Sequence, residues 1–280
     1  MLEFNVSGCY GSCGKIKPRG KLVKFTSLLT ASALVATMAS SAVMAENNSL
    51  SPSQKTEVQK IIHDYLVNNP EVLIEASQAL QQKQQQSMQQ QAQAAISENA
   101  AQLFTDKLTV VGNPKGSVTL VEFFDYQCIH CKKVAPVISE LVKANSNLRV
   151  VYKEFPIFGA SSDQASRAAL AAAMQNKYLA MHEALIKEEK RLDDKIINSA
   201  AESIGLDMAK FKADMTSKTV TDALDANRKL AEKLHLMGTP AFIIASTPDG
   251  TFNKNSTPAF IPGAASKESL QELIQKAAKN

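Results

Sequence analysis

The N-terminal part of the sequence lacks an apolar run long enough to span a membrane. Its apolar stretch, residues 25–38, falls short of the roughly 20 residues that a spanning helix needs, and no stop-transfer pattern follows it. The stretch comes after five basic residues and before the small-residue pattern Val43-Met44-Ala45. We therefore predict a secretory signal over residues 1–45, cleaved after Ala45, with a transmembrane anchor as the alternative.

The remaining chain has no excess of charge of either sign. The whole sequence has 31 basic and 27 acidic residues. The predicted signal holds five basic residues and one acidic residue, so 26 of each remain after cleavage. This balance argues against a nucleic-acid or polybasic membrane surface. Export predicts a periplasmic protein, in an oxidising compartment where disulfides persist.

Potential metal ligands are also few. A structural zinc site needs about four ligands at short, regular spacing. Beyond the predicted signal, which holds Cys9 and Cys13, the cysteines and histidines are scattered: Cys128, Cys131, His63, His130, His182 and His235. The sequence therefore predicts no metal site, and we predict no cofactor.

What the chain does have is a pair of thiols three residues apart, Cys128 and Cys131. They follow an extended apolar run, 118–124, and precede apolar residues at helical spacing, after which 148–155 reads as another strand. Thiols at the helix start of a strand–helix–strand unit are typical of a redox site. A purely structural disulfide is the alternative, but a bridge over so short a loop stabilises a fold weakly.

The position of each thiol predicts its role. A thiolate at a helix N-terminus is stabilised by free N–H groups and by the helix dipole, so Cys128 is predicted to be the exposed nucleophile. Cys131, one turn further on, is predicted to be more buried and to resolve mixed disulfides. His130, between them, is predicted to add positive charge or a hydrogen bond, the alternative being a spectator in the loop.

The N-terminal part of the mature chain reads as helical. A helix start at Ser51-Pro52 precedes apolar residues on one face, and a second helix begins near Pro70 and runs through ten glutamines between residues 78 and 93. We predict a helical oligomerisation segment over residues 46–106, with a solvated helix or a disordered linker as the alternative. Residues 107–280 form the remaining domain.

The run from Phe123 to Lys133, with Ala135-Pro136 after it, resembles the thioredoxin superfamily and most of all its DsbA-type thiol:disulfide oxidoreductases. Those commonly carry Cys-Pro-His-Cys, whereas Ile129 replaces the proline here, at a position that tunes oxidising strength. The resemblance implies an α/β thioredoxin-like fold with a helical insertion, preceded by the helical segment.

A second run, Met237-Gly238-Thr239-Pro240-Ala241, resembles the cis-proline segment of the same superfamily. The resemblance implies a cis Thr239-Pro240 bond beside the dithiol, and it makes both residues candidates for substrate binding. A threonine before this proline is similar to the isomerase branch. Helical patterns between the two matches fit the insertion of DsbA-type proteins.

A carboxylate, Glu122, interrupts the apolar strand that leads to the dithiol. Family members carry a comparable acid beneath the cysteines, so the resemblance implies a buried proton acceptor. An edge or outward-facing position is the alternative, because the strand alternates imperfectly. Lys153, on the next strand, is a possible charge partner.

Together these features predict an exported enzyme, a disulfide oxidoreductase and isomerase that acts through Cys128 and Cys131. Its predicted partners are unfolded or disulfide-containing exported proteins and a membrane redox partner, but no nucleic acid. A homo-oligomer is predicted, and a dimer is favoured. The alternative is an oligomeric periplasmic chaperone or metal-handling binding protein with an incidental dithiol.

Overall fold

The computed structural model describes residues 50–106 and 108–279, and the predicted signal over 1–45 lies outside them. The chain divides into two compact units, Met1–Ile62 and His63–Asn280. In the first unit, the described residues 50–62 include most of helix α1 (Pro52–Asn68). Among the described residues, none of the helices combines the length and apolar character needed to cross a bilayer.

The second unit is built on a mixed sheet with strand order β1-β3-β2-β4-β5. Strands β2 and β3 are parallel, and the other neighbours are antiparallel. The strand bounds are β1 (Val110–Gly112), β2 (Val118–Phe124), β3 (Leu148–Glu154), β4 (Ala241–Ser246) and β5 (Ala259–Ile261). The central strand β2, which leads to the dithiol, is buried along its whole length.

Helices cover both faces of the sheet. Their bounds are α2 (Glu71–Glu98), α3 (Ala100–Phe104), α4 (Ile129–Ala144), α5 (Ala160–Ala173), α6 (Tyr178–Ile186), α7 (Asp194–Ser203), α8 (Met208–Met215), α9 (Lys218–Lys233) and α10 (Lys267–Ala277). Helices α5 to α9 are inserted between β3 and β4. This arrangement confirms the predicted thioredoxin-like fold with a helical insertion.

Alternation along β2 divides its side chains between two cores. Leu120 and Phe124 face the core that holds α4 and α10, which we call the front face. Val121 and Phe123 face the second core, which we call the back face. Leu230 of α9 packs there. Because side chains of a strand alternate with a period of two, even-numbered residues of β2 face the front and odd-numbered residues face the back.

Polar caps start several helices. Asp207 accepts hydrogen bonds from the N–H groups of Ala209 and Lys210, both at 3.0 Å, and Ser266 caps α10. A cap satisfies backbone donors that have no partner inside the helix. Helix α8 therefore begins directly after Asp207.

The C-terminal part of α2, beyond most of its glutamines, is buried. Ala92 and Ile96 are both enclosed there. Ile96 packs into the back-face core with Leu103 and Phe104 of α3. The segment 92–104 therefore belongs to the core of the second unit, because these residues cover the sheet face that α4 leaves free.

Candidate active site

Cys128 and Cys131 lie at the N-terminus of α4, directly after β2. Cys128 is the N-cap residue, with extended backbone angles (φ −75°, ψ 116°), and its sulfur accepts the N–H of Cys131 at 3.4 Å. Its own N–H donates to the carbonyl of Asp125 at 3.1 Å. Both thiols are free, so this is the reduced dithiol. The predicted placement of the pair at a helix start is confirmed.

The surroundings of Cys128 favour its thiolate. A hydrogen bond from the Cys131 thiol is the main cause that lowers the pKa of Cys128 from 9.0 to about 5, and the Thr239 side chain and the N–H groups of Cys131 and His130 add to it. Partial desolvation opposes these effects. A thiol with this pKa is ionised at neutral pH.

The same contacts act on Cys131 in the opposite direction. Its hydrogen bond to Cys128, its burial and the negative charge of Glu122 all raise the pKa of Cys131. The two thiols therefore have different protonation states at neutral pH, and Cys128 holds the negative charge. This division suits one nucleophile and one resolving thiol.

The prediction that Cys128 is exposed is wrong. Only 3% of its surface is accessible, against 1% for Cys131. The loop before β4 covers the sulfur, which donates a hydrogen bond to the Thr239 carbonyl at 3.3 Å. Two residues of the motif are exposed instead, Ile129 and His130.

His130 acts on Cys128 through its backbone. Its N–H is among the groups that lower the pKa of Cys128. The ring is exposed and makes no hydrogen bond or ion pair with any residue that the structure describes. A contribution of the imidazole stays a prediction.

The loop before β4 brings Thr239 and Pro240 to the dithiol. The Thr239-Pro240 bond is cis, as the resemblance implied. Thr239 is half-buried, and its Oγ1 is enclosed without a hydrogen-bond partner among the described residues. This hydroxyl is thus a free donor beside a sulfur that becomes negatively charged. Substrate binding by the two residues stays a prediction.

Glu122 lies on the front face of β2, on the same side as the dithiol. It is 2% exposed, on the central strand, which excludes an edge or outward-facing position. Burial is the main cause that raises the pKa of Glu122 well above its ordinary value, and negative charge at Cys128 and Glu154 adds to it. Such a carboxyl can hold a proton at neutral pH.

Lys153 is not the partner of Glu122. Its ammonium lies 2.9 Å from the carboxylate of Asp106, and 4% of its side chain is exposed. Phe123, the back-face neighbour of Glu122, is the register partner of Lys153. The pairing fails because Glu122 and Lys153 point to opposite faces of the sheet.

Sequence reasoning missed Asp125, which anchors the turn before the dithiol. Its Oδ1 accepts from the Gln127 N–H at 2.6 Å and the Ser162 hydroxyl at 2.7 Å. Its Oδ2 accepts from the N–H groups of Ile157 and Phe158 at 2.7 and 3.0 Å. One carboxylate thus joins the dithiol turn to the loop after β3 and to α5. An aspartate directly after a buried strand was the available signal.

A second buried carboxyl, Glu154, was also missed. Its Oε1 accepts from the hydroxyls of Tyr126 at 3.0 Å and Tyr178 at 2.9 Å, and the Tyr126 oxygen lies 3.2 Å from His182 Nδ1. Burial is the main cause that raises the pKa of Glu154 to about 8, although hydroxyls including that of Ser166 oppose it. Desolvation lowers the pKa of His182 to about 3, so its ring is neutral.

This network couples the helical insertion to the site. Tyr126 precedes the dithiol, Glu154 ends β3, and Tyr178 and His182 lie on α6. Glu154 comes two residues after Tyr152 on β3, so the two side chains lie on the same face, and Tyr152 faces the front core. This spacing was the signal in the sequence.

Among the described residues, no group of three or more histidine, cysteine or acidic side chains is arranged to hold a metal ion.

Comparison with known proteins supports the same relationship. Residues 119–275, more than half of the chain, match the DSBA-like thioredoxin domain family, and residues 54–87 match the copper resistance protein ScsC N-terminal domain. The thiol:disulfide interchange protein DsbA of Bordetella parapertussis is 30% identical over 158 residues, which cover 55% of this chain and 75% of that protein.

The chain also matches Na(+)/H(+) antiporters of Salinispora tropica and Salinispora arenicola, at 26% and 25% identity. Those matches cover 50% and 57% of this chain. The chain spans only 22% and 25% of the length of these antiporters. The match is thus confined to a minor part of each transporter.

Two solved structures extend the similarity to the fold. BcfH of Salmonella enterica Typhimurium has 33% identity and a TM-score of 0.70, over 81% of this chain and 96% of that one. A thioredoxin-like oxidoreductase of Silicibacter pomeroyi has 38% identity and a TM-score of 0.58, over 65% and 99%. The chain therefore belongs to the DsbA-like thioredoxin family, the thiol:disulfide oxidoreductases that its dithiol and its cis-proline loop predicted.

Proposed function

We propose that this protein is an exported thiol:disulfide oxidoreductase that forms and isomerises disulfide bonds in other proteins. One observation carries the proposal: the Cys128 sulfur lies at the start of α4, where the Cys131 thiol, the Thr239 side chain and backbone N–H groups lower its pKa to about 5. Such a sulfur is both a nucleophile and a good leaving group at neutral pH. The predicted signal supports export to the periplasm.

In the oxidising direction, the reaction starts from the Cys128–Cys131 disulfide. A substrate thiolate attacks the Cys128 sulfur, and Cys131 leaves as a thiolate that takes up a proton. A second substrate thiolate then attacks the substrate sulfur of this mixed disulfide, so a substrate disulfide forms and Cys128 leaves. Two electrons pass to the protein, and a membrane redox partner would remove them.

The electrostatics favour this direction. Stabilising the Cys128 thiolate stabilises the reduced dithiol, so the disulfide becomes a stronger oxidant. Glu122 would hold the proton that Cys131 takes up or releases, since its buried carboxyl has a raised pKa on the same face. His130 would add charge at the mouth of the site.

Isomerisation uses the reduced dithiol. The Cys128 thiolate attacks a substrate disulfide, and the freed substrate thiol attacks another disulfide of the same chain until Cys128 is released. No electrons are gained or lost overall. Two dithiols in one oligomer would raise the effective concentration of the nucleophile.

Self-association through the N-terminal helices would supply such an oligomer. Four apolar side chains of α1 are between 39% and 61% exposed: Val58, Ile61, Ile62 and Tyr65. They recur at helical spacing, as in helices that pack against another copy. We propose that residues 46–106 mediate homo-oligomerisation, with a dimer favoured, and that residues 107–280 carry the chemistry.

Insulin reduction and refolding of scrambled ribonuclease test the proposed activity, with residues 46–280 as the enzyme. Cys128→Ala should abolish both activities. Deleting residues 46–106 is a poor test of the helical segment, because it removes Ile96, Leu103 and Phe104 from the back-face core. Activity of the wild type no higher than that of Cys128→Ala would disprove the proposal.

A milder change tests the oligomer. Ile61→Gln with Ile62→Gln should lower the mass measured by light scattering and reduce ribonuclease refolding, while insulin reduction stays. Lys60→Gln, on an exposed position of the same helix, is the matched control. An unchanged mass in the double variant would show that α1 does not hold the copies together.

A further inference from the structure

A groove of about 750 Å³ lies between α2 and the loop that carries Thr239 and Pro240. Five of the ten glutamines between residues 78 and 93 line its α2 wall: Gln81, Gln84, Gln85, Gln89 and Gln91. Apolar side chains line the opposite wall, among them Leu236, Met237 and Phe260. Met237 is 97% exposed. The α2 wall is thus rich in amides, with Met88 and Ala92 among them, and the facing wall is mainly apolar but also holds His235.

The lining predicts the chemistry of the occupant. None of the described residues that line the groove carries a carboxylate, ammonium or guanidinium group. Each glutamine amide offers two N–H donors and a carbonyl oxygen acceptor. An extended polypeptide presents unpaired N–H and C=O groups at every residue, with side chains that alternate in direction. Amides on one side and apolar groups on the other fit such a segment without selecting its charge.

The groove reaches Thr239, the residue that contacts the reactive thiol. Thr239 lines the groove, and its carbonyl oxygen lies 3.3 Å from the Cys128 sulfur. The buried Thr239 hydroxyl has no hydrogen-bond partner among the described residues. A segment lying in the groove would therefore bring a cysteine to Cys128.

We propose that the glutamine face of α2 binds the main chain of an extended, cysteine-containing segment of the substrate polypeptide. The inference rests on the proposed function and specifies where the substrate polypeptide lies. It gives α2 a second role beyond oligomerisation: it is one wall of the substrate cleft. Binding depends on the main chain, so different exported proteins are substrates.

The spacing of the glutamines gives a matched test. Gln81→Ala, Gln85→Ala and Gln89→Ala together change the groove wall, whereas Gln82→Ala, Gln86→Ala and Gln90→Ala change residues outside the groove at the same spacing. Both triple variants replace glutamine by the best helix former, so α2 is not weakened. Each is made in residues 46–280 and compared with the wild type.

Two probes with the same chromophoric leaving group separate binding from chemistry. One is a short uncharged peptide whose cysteine is joined to 2-nitro-5-thiobenzoate, and the other is Ellman's reagent itself. In each, the Cys128 thiolate of the reduced protein attacks the disulfide and releases coloured thiolate. The groove variant should lower the ratio of the peptide rate to the reagent rate about tenfold, since three hydrogen bonds are lost. The control variant should leave the ratio unchanged.

Equal ratios in the two triple variants would overturn the inference. A lower mass of the groove variant by light scattering, with the ratio retained, would also overturn it, because a second copy of the chain would then occupy the groove. A wild-type protein that fails to react with Ellman's reagent at neutral pH would instead refute the proposed function.

Discussion

The Cys128 sulfur and the Thr239 carbonyl oxygen lie 3.3 Å apart, although 111 positions separate the two residues in the chain. The contact exists because β2 and β4 are neighbours in the sheet, so the end of β2 and the start of β4 meet at one edge. Thr239 contributes its carbonyl to the thiol form, and its unpartnered hydroxyl is available to the thiolate. The same residue therefore meets both protonation states of the nucleophile.

Thr239→Val removes the hydroxyl and keeps the shape of the side chain. The Cys128 pKa should rise by about one pH unit, because a hydrogen bond to a charged group contributes about 1.5–3 kcal/mol. Ultraviolet absorbance of the thiolate against pH measures it. Thr257→Val, at another Thr-Pro step that is exposed, is the control. Equal pKa values in the two variants would show that the hydroxyl does not act on the sulfur.

Cys131→Ala removes the largest cause of the low Cys128 pKa. The Cys128 pKa should rise by one or more pH units in this variant, at roughly 1.4 kcal/mol per unit. Cys131→Ser should raise it less, because the serine hydroxyl still donates a hydrogen bond. The rate of alkylation by iodoacetamide against pH measures both, and alanine and serine variants with the same profile would contradict the assignment.

The low pKa of Cys128 links stability to redox state. The pKa is about 5 in the folded reduced protein and 9.0 ordinarily. The ionised Cys128 therefore contributes its full stabilisation to the folded reduced protein only above its ordinary pKa. This contribution is lost as the pH falls towards 5. As the pH rises through this window, the free energy of unfolding of the reduced form should increase, relative to that of the disulfide form, by about 1.4 kcal/mol per pH unit. Urea unfolding of both forms at several pH values measures this difference in stability. A difference that does not change with pH would contradict the prediction.

Glu122→Gln tests the buried proton acceptor. Resolution of a mixed disulfide by Cys131 should slow about a hundredfold, because glutamine cannot accept the proton that the Cys131 thiol must lose before it attacks. The decay of a trapped mixed disulfide at neutral pH gives the rate. Glu140→Gln, an exposed acid of α4, is the control. Decay at the wild-type rate in Glu122→Gln would rule out proton transfer by this residue.

Glu154→Gln tests the second carboxyl. The folded pKa of Glu154 is raised to about 8 from 4.5, so wild-type stability is lost as the pH rises through this range. Glutamine resembles the protonated form and does not titrate. The variant should therefore gain stability over the wild type between pH 5 and pH 9, measured by urea unfolding. A stability difference that is the same at both ends would show that Glu154 is not protonated in the fold.

Local patterns made much of the fold predictable. The bounds of β2 follow from an apolar strand run and the start of α8 follows from the Asp207 cap, and both signals depend on residues close in sequence. The dithiol at a helix start and the cis Thr239-Pro240 bond were also foreseen, the second through a family resemblance. Short-range signals are sufficient for features of this kind.

Contacts between distant elements were not predictable in the same way. The burial of Cys128 depends on the loop at Thr239, and the Glu154 network joins side chains from three separate parts of the chain. The expected pairing of Glu122 with Lys153 failed because it ignored which face of its strand each residue occupies. No local pattern records such convergence, since it is set by the packing of the whole sheet.

The burial of Ile96, Leu103 and Phe104 in the back-face core constrains how relatives of this protein could exchange their N-terminal segments. A recombination breakpoint between 92 and 104 would join two halves of a core that had not evolved together. A breakpoint near Asn69-Pro70, where α1 has ended and α2 has not begun, leaves that core intact. Viable chimaeras should therefore inherit α2 together with the dithiol domain and vary mainly in α1.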